Sequence, residues 1–127
     1  MINDRVKLLK VYLNSNIKHF LVRDIADLKL KKYISLNSDC DKSLLNGCYD
    51  GLEFVAPIWY KDLCSLKTPV LVINNIDGIE KAEQRKFMEI LKYNKIGTFE
   101  LPDNCIVMIT YLNKSIHEDI FSLLVEI

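Results

Sequence analysis

The chain has 127 residues, 50% of them hydrophobic, enough for one domain whose folding removes about two-thirds of its accessible surface from water. Seventeen Lys and Arg balance seventeen Asp and Glu, which disfavours a nucleic-acid binder that works by releasing phosphate counterions. No apolar run approaches the roughly 20 residues of a membrane span, and no apolar h-region follows the charged N-terminal residues, so the expected compartment is cytoplasmic with no membrane contact.

In chain order, Asn3 to Asn16 reads as a helix capped by Asn3 or Asp4. Val6, Leu9, Leu13 and Ile17 form its apolar stripe, widened by Leu8 and Tyr12. His19 to Arg23 and Tyr33 to Asn37 are strand candidates. Only Asp24 to Lys32 lies between them, room for about two helical turns, whereas a full strand-helix-strand unit takes about 30 residues or more. Lys29, Lys31 and Lys32 form a basic cluster in this short connection. With no glycine or aromatic stacking partner beside them, a solvated loop explains them better than a phosphate contact.

Ser38 to Asp50 is polar, and Gly47 and Gly51 mark turns. A helix starting near Pro57 places Trp59 and Leu63 at helical spacing, with Phe54 and Tyr60 in the same aromatic group, best explained as core. Cys40, Cys48, Cys64 and Cys105 are too irregularly spaced for a zinc site and read as reduced thiols. His19 and His117 lie far from them in sequence and form no nucleophile-base grouping.

The segment from Pro69 to Asn113 organises the rest. Val70 to Ile73 is a continuous apolar run closed by Asn74, Asn75 and Asp77, and Cys105 to Thr110 is a second such run. Apolar runs of this kind are strands covered on both faces, and a strand-helix-strand succession makes them parallel neighbours. Ligands in open α/β sheets bind at the carboxyl ends of strands, which points to Asn74, Asn75, Asp77, Thr110 and Asn113. Between the runs, Glu80 to Tyr93 reads as a helix with a charged face that includes Gln84, Arg85 and Lys92. Gly97 to Pro102 reads as a short hairpin. Ile116 to Leu124 forms a helix capped by Ser115, and Val125 to Ile127 closes the sheet.

Val70 to Asp77 resembles the Walker B strand of AAA+ ATPases, in particular the branch similar to MoxR-type and dynein-related ATPases, where an apolar run ends in Asp-Glu. Phe54-Val55-Ala56-Pro57-Ile58-Trp59 is similar to the segment that precedes that strand in the family. Gln84, Phe87, Leu91, Ile96-Gly97 and Leu101-Pro102-Asp103-Asn104 fall where the family has a glutamine-bearing helix and the connection to its sensor-one strand. The similarity covers roughly Gly47 to Ile127. It implies an α/β fold of the P-loop NTPase type: a three-layer αβα domain with a mostly parallel five-stranded sheet of order 5-1-4-3-2, with the crossover from the first strand to the second cut down. Asn113, with Thr110, would hold the sensor-one position, and the helix bearing Gln84, Arg85 and Lys92 would face a neighbouring subunit. The helical lid that follows the last strand in the family is not expected here.

The family's phosphoryl-transfer apparatus is missing in three places. A Walker A loop cradles phosphates with Gly-rich backbone amides and a Lys, yet this chain has no Gly before Gly47 and no Gly-Lys pair. Asn74 and Asn75 stand where the family has its Asp and Glu, and an amide is a poor ligand for a hard cation and no general base. No Arg follows Arg85, and Phe121-Ser122-Leu123 holds the place of the arginine finger. The expectation is therefore a pseudo-ATPase: no enzyme, no metal, no ATP or Mg²⁺ cofactor, acting by contact with a protein partner, an active AAA+ ATPase or a second copy. A nucleotide-dependent component of a composite site and a nucleic-acid accessory module using Lys29, Lys31 and Lys32 are the alternatives.

Overall fold

The computed structural model describes residues 4–127. Helix α1 spans Asp4–Asn14, and the alternative cap at Asn3 lies outside the described residues. Leu9 is buried, and Tyr12, Leu13 and Ile17 pack against the same cluster. Leu8, expected to widen the stripe, is exposed.

Strands β1 (His19–Val22) and β2 (Ile34–Asn37) follow. Between them is a 3-10 turn of 4 residues, Ile25–Leu28. Asp24 caps it by accepting the Ala26 N–H, and Lys29 ends it in the left-handed region at φ 52. The shortened crossover expected from the sequence is thus present.

The next stretch differs from the expected polar loop. It holds a short helix, α2 (Lys42–Asn46), with Asp41 accepting the Leu44 N–H, and an antiparallel hairpin of β3 (Cys48–Asp50) and β4 (Glu53–Val55). Gly51, at φ +65, opens the two-residue turn between Asp50 and Glu53, a conformation that glycine adopts without strain. At Gly47 a Cβ would lie 2.3 Å from the Val55 carbonyl oxygen, so only glycine lets the chain leave α2 beside β4. Phe54 sits on this hairpin, and it is half-exposed rather than core.

Helix α3 (Ile58–Cys64) starts after Pro57 and buries Trp59 and Leu63 as expected. The Trp59 Nε1 donates to the Leu45 carbonyl at 3.0 Å, which pins α2 to α3. Strand β5 (Val70–Asn74) then enters the centre of the sheet. The helix expected over Glu80 to Tyr93 is divided into α4 (Lys81–Gln84), a 3-10 turn at Arg85–Phe87 and α5 (Met88–Tyr93). Residues three apart eclipse in a 3-10 turn. That tightening puts Gln84 and Phe87 on one inward line, and both are fully buried.

The hairpin of β6 (Lys95–Ile96) and β7 (Phe99–Glu100) turns at Gly97, φ +60. Strand β8 (Ile106–Thr110) is buried throughout. Helix α6 (Glu118–Phe121) is shorter than expected, and its cap is His117, whose Nδ1 accepts the Asp119 N–H at 3.1 Å, rather than Ser115. Strand β9 (Val125–Glu126) closes the sheet against β1.

The five-stranded sheet has the order β2-β5-β8-β1-β9, and every pairing in it is parallel. Read from the other edge, this is the strand order expected from the sequence. The pleat sends alternate residues of β5 and β8 into two clusters. Leu71, Ile73, Val107 and Ile109 meet α3, the 3-10 turn at Arg85–Phe87, α5 and α6 on one face. Val70, Val72, Ile106 and Met108 meet α1 and the 3-10 turn on the other. The domain is α/β, with two small antiparallel hairpins added to a parallel sheet.

Candidate functional site

The carboxyl ends of β1, β5 and β8 surround a cavity of about 380 Å³. Its polar wall is Arg23, Asp24, Asn74, Asn75 and Thr110. Asn74 ends β5, and its amide Nδ2 donates to the Ser35 hydroxyl at 2.7 Å. The chain then turns at Asn75, which is left-handed at φ 53 and ψ 58, a conformation that Asn tolerates better than most residues. Two hydroxyls hold this turn. Thr110 Oγ1 accepts the Asn75 N–H at 2.9 Å, and Ser38 Oγ donates to the Asn75 carbonyl at 2.5 Å.

Asp77 faces elsewhere. Its carboxylate accepts the Leu112 N–H at 3.0 Å and the Asn113 N–H at 2.5 Å, so it clamps the loop after β8. Burial pushes the carboxyl up, but hydrogen bonds from the backbone N–H groups of Asn113, Leu112, Asp77 and Ser115 outweigh it and hold the group below its ordinary range. Asn113 is exposed and does not line the cavity. Of the predicted site residues, the fold therefore brings Asn74, Asn75 and Thr110 together. It leaves Asp77 and Asn113 joined to each other through the backbone.

The predicted contact surface changes more. Gln84 is fully buried, not on the wet face. Its amide donates to the Ser115 carbonyl at 2.9 Å and to the Ile79 carbonyl at 3.3 Å, and its carbonyl accepts the His117 N–H at 2.7 Å. A buried amide with its hydrogen bonds made is a structural node, here tying α4 to the start of α6. Arg85 and Lys92 do stay exposed. Arg85 pairs with Asp119 at 3.1 Å across to α6.

Lys29, Lys31 and Lys32, read as a solvated loop, border a hollow of about 610 Å³. Lys67 joins them, and Leu9, Leu13, Val70, Ile106 and Met108 supply the apolar part of the lining. The sequence signal for this hollow was the short crossover: a connection without a full helix leaves a groove beside α1, although Val70, Ile106 and Met108 at its floor stay at most 8% exposed.

Another feature missed in the sequence is the outward face of the first hairpin. Leu52 is 100% exposed, Tyr49 73% and Phe54 42%. Tyr49 meets Phe54 with ring centroids 5.0 Å apart, Phe54 stacks on Phe99 at 5.8 Å, and Tyr60 reaches Phe99 at 5.4 Å. This aromatic chain joins the two hairpins. The Asp50-Gly51 pair was the signal for its turn.

All four cysteines are free. Burial pushes the Cys105 thiol up to about 12, which makes it an inert packing group. Burial and the neighbouring Lys18 hold His19 below its ordinary value. Among the described residues no group of three or more His, Cys, Asp or Glu is placed to hold a metal ion, and no helix is long and apolar enough to cross a membrane. Asn74, Asn75 and Thr110 are neutral, and the carboxylate of Asp24, which already accepts the Ala26 N–H, is the single acidic group of the wall, a donor set poor in the charge that a divalent cation wants. No protein-family model matches the chain, and no curated protein matches it in sequence.

Proposed function

We propose that this chain is a non-catalytic, AAA+-like module of the P-loop NTPase type, a pseudo-ATPase that works by protein–protein contact and docks on or regulates an AAA+ ATPase assembly. The observation that carries this reading is the use made of Asp77. It is the one carboxylate of the Asn74 to Asp77 turn, and both its oxygens are spent on backbone N–H groups of the neighbouring loop. A carboxylate so engaged holds a fold in place and is not free to bind Mg²⁺ or take a proton. The parallel order of the sheet supports the fold assignment. The exposed Tyr49 and Phe54, whose rings meet on the first hairpin, support the contact role, because apolar side chains grouped on a surface mark interaction sites.

The cavity walled by Arg23 and Asn74 favours a second reading, a nucleotide-dependent component of a composite site. Thermal denaturation with and without Mg²⁺ and ATP separates the two. A nucleotide at 100 times its dissociation constant would stabilise the chain by about 2.7 kcal/mol. The pseudo-ATPase reading expects no shift at millimolar ATP, and a saturable rise in Tm would overturn it in favour of the second.

A further inference from the structure

We propose that the lysine-bordered groove on the α1 face of the sheet binds an acidic amphipathic helix of a partner protein. Parallel neighbours are ordinarily joined by a crossover of a dozen or more residues, usually a helix that covers the sheet between them. Here the crossover from β1 towards β2 contributes a single 3-10 turn of 4 residues. The groove lies where more of that layer would be, flanked by Leu9 and Leu13 of α1 and by the Lys29 to Lys32 connection, over Val70, Ile106 and Met108. A helix is the element that normally fills such a place, and its anchors at i, i+3 or i+4 and i+7 would enter a groove of this kind.

Charge selects the kind of helix. Lys29, Lys31, Lys32 and Lys67 border the groove, and no Asp or Glu lines it. None of these four has an ion pair among the described residues, although the chain as a whole carries formal net charge +0. Their stems extend the apolar surface while their ammonium groups stay in water. A ligand with an apolar stripe flanked by Glu or Asp meets both features, and a basic or fully polar helix meets neither. Nucleic acid would find the lysines but no aromatic platform within the groove, because no aromatic residue lines it and the half-exposed Tyr33 beside Lys32 lies outside the lining.

The proposal rests on reading the chain as a binding module and names its partner class. The test uses the full chain and a fluorescent peptide of about 15 residues, the length at which isolated helices become marginally stable, with Leu at i, i+3, i+4 and i+7 and Glu at the other positions. Anisotropy titration should show saturable binding that weakens as salt is raised. The variant K29E/K31E/K32E/K67E should lose at least tenfold in affinity. The matched variant K7E/K42E/K61E/K81E, which changes the net charge equally at exposed lysines that do not line the groove, should bind as the parent does. Near-ultraviolet circular dichroism identifies variants that keep the fold. The proposal is overturned by the absence of saturation up to about 1 mM. It is equally overturned if both variants lose affinity alike, if a peptide with its Leu positions scrambled binds as well, or if a single-stranded oligonucleotide binds more tightly. Peptide failure without a Tm shift from Mg²⁺ and ATP removes the groove and leaves the pseudo-ATPase reading standing; a Tm shift with ATP removes that reading whatever the peptide does.

Discussion

One face of the sheet is covered by α3, the 3-10 turn at Arg85–Phe87, α5 and α6, and the other by α1 and the 3-10 turn at Ile25–Leu28. On the first face Trp59, Leu63, Phe87, Ile90 and Ile120 close over Leu71, Ile73, Val107 and Ile109, all at most 5% exposed. On the second, the apolar strand residues Val70, Ile106 and Met108 border the hollow of about 610 Å³. The same strands feed both faces, so the contrast does not come from their composition. It comes from how much chain was left to cover each side, and it separates a face that holds the domain together from one that has room for something else.

Adjacent residues of β8 allow the sharpest test of that contrast. Ile109 and Met108 are both 0% exposed but point into opposite clusters. Ile109→Ala removes a side chain from close-packed surroundings and should cost about 4 kcal/mol, near the upper part of the range for such truncations. Met108→Ala borders a hollow already present, so less contact is lost and the cost should be about 2 kcal/mol. Urea denaturation of the two variants measures both, and equal costs would erase the distinction between the faces.

Gln84 tests whether the dense face owes its order to polar as well as apolar contacts. Gln84→Leu keeps the bulk but leaves the His117 N–H and the Ser115 carbonyl without the partners they have now. Unmade hydrogen bonds at a buried site should cost about 2 to 3 kcal/mol. A variant as stable as the parent would mean that water replaces the amide and that α6 is held by packing alone.

Asp77 should give the smallest of these effects. Asp77→Asn keeps the shape and removes the charge that the Leu112 and Asn113 N–H groups bind, which should cost about 1.5 kcal/mol at neutral pH. Folding lowers the carboxyl from its ordinary value of 3.8. Its contribution is therefore fully present above that value and is lost as pH falls through the lower folded value. The stability gap between parent and variant should stay constant at neutral pH and narrow in acid. A gap that persisted at pH 2 would show that the clamp does not depend on charge.

Much of the sheet was legible because its signals are local. Val70 to Ile73 and Ile106 to Ile109 are unbroken apolar runs, and only a strand covered on both faces uses such a run. Pro57, Gly97 and the brevity of Asp24 to Lys32 marked a helix start, a hairpin turn and a short crossover. The hairpin of β3 and β4 went unseen although Asp50-Gly51 signalled its turn, because its strands are exposed and lack the clean apolar alternation of a half-buried pair. Gln84 was misplaced for a different reason. At i, i+3 and i+7 it shares the face of Phe87 and Leu91, and only its polar side chain argued for the charged face.

What the residues determined by themselves was which segments must be buried and which positions at the strand ends carry amides instead of carboxylates, since side-chain chemistry and hydrophobic period are properties of the chain alone. The tertiary structure decided what each polar group is used for. Asp77 binds backbone N–H groups because the β8 loop passes beside it, Gln84 is a buried node because the start of α6 lies against it, and four lysines from two connections border one groove because β2 and β5 are neighbours. These are contacts between segments far apart in sequence, set by strand order and packing, and no pattern within either segment encodes them.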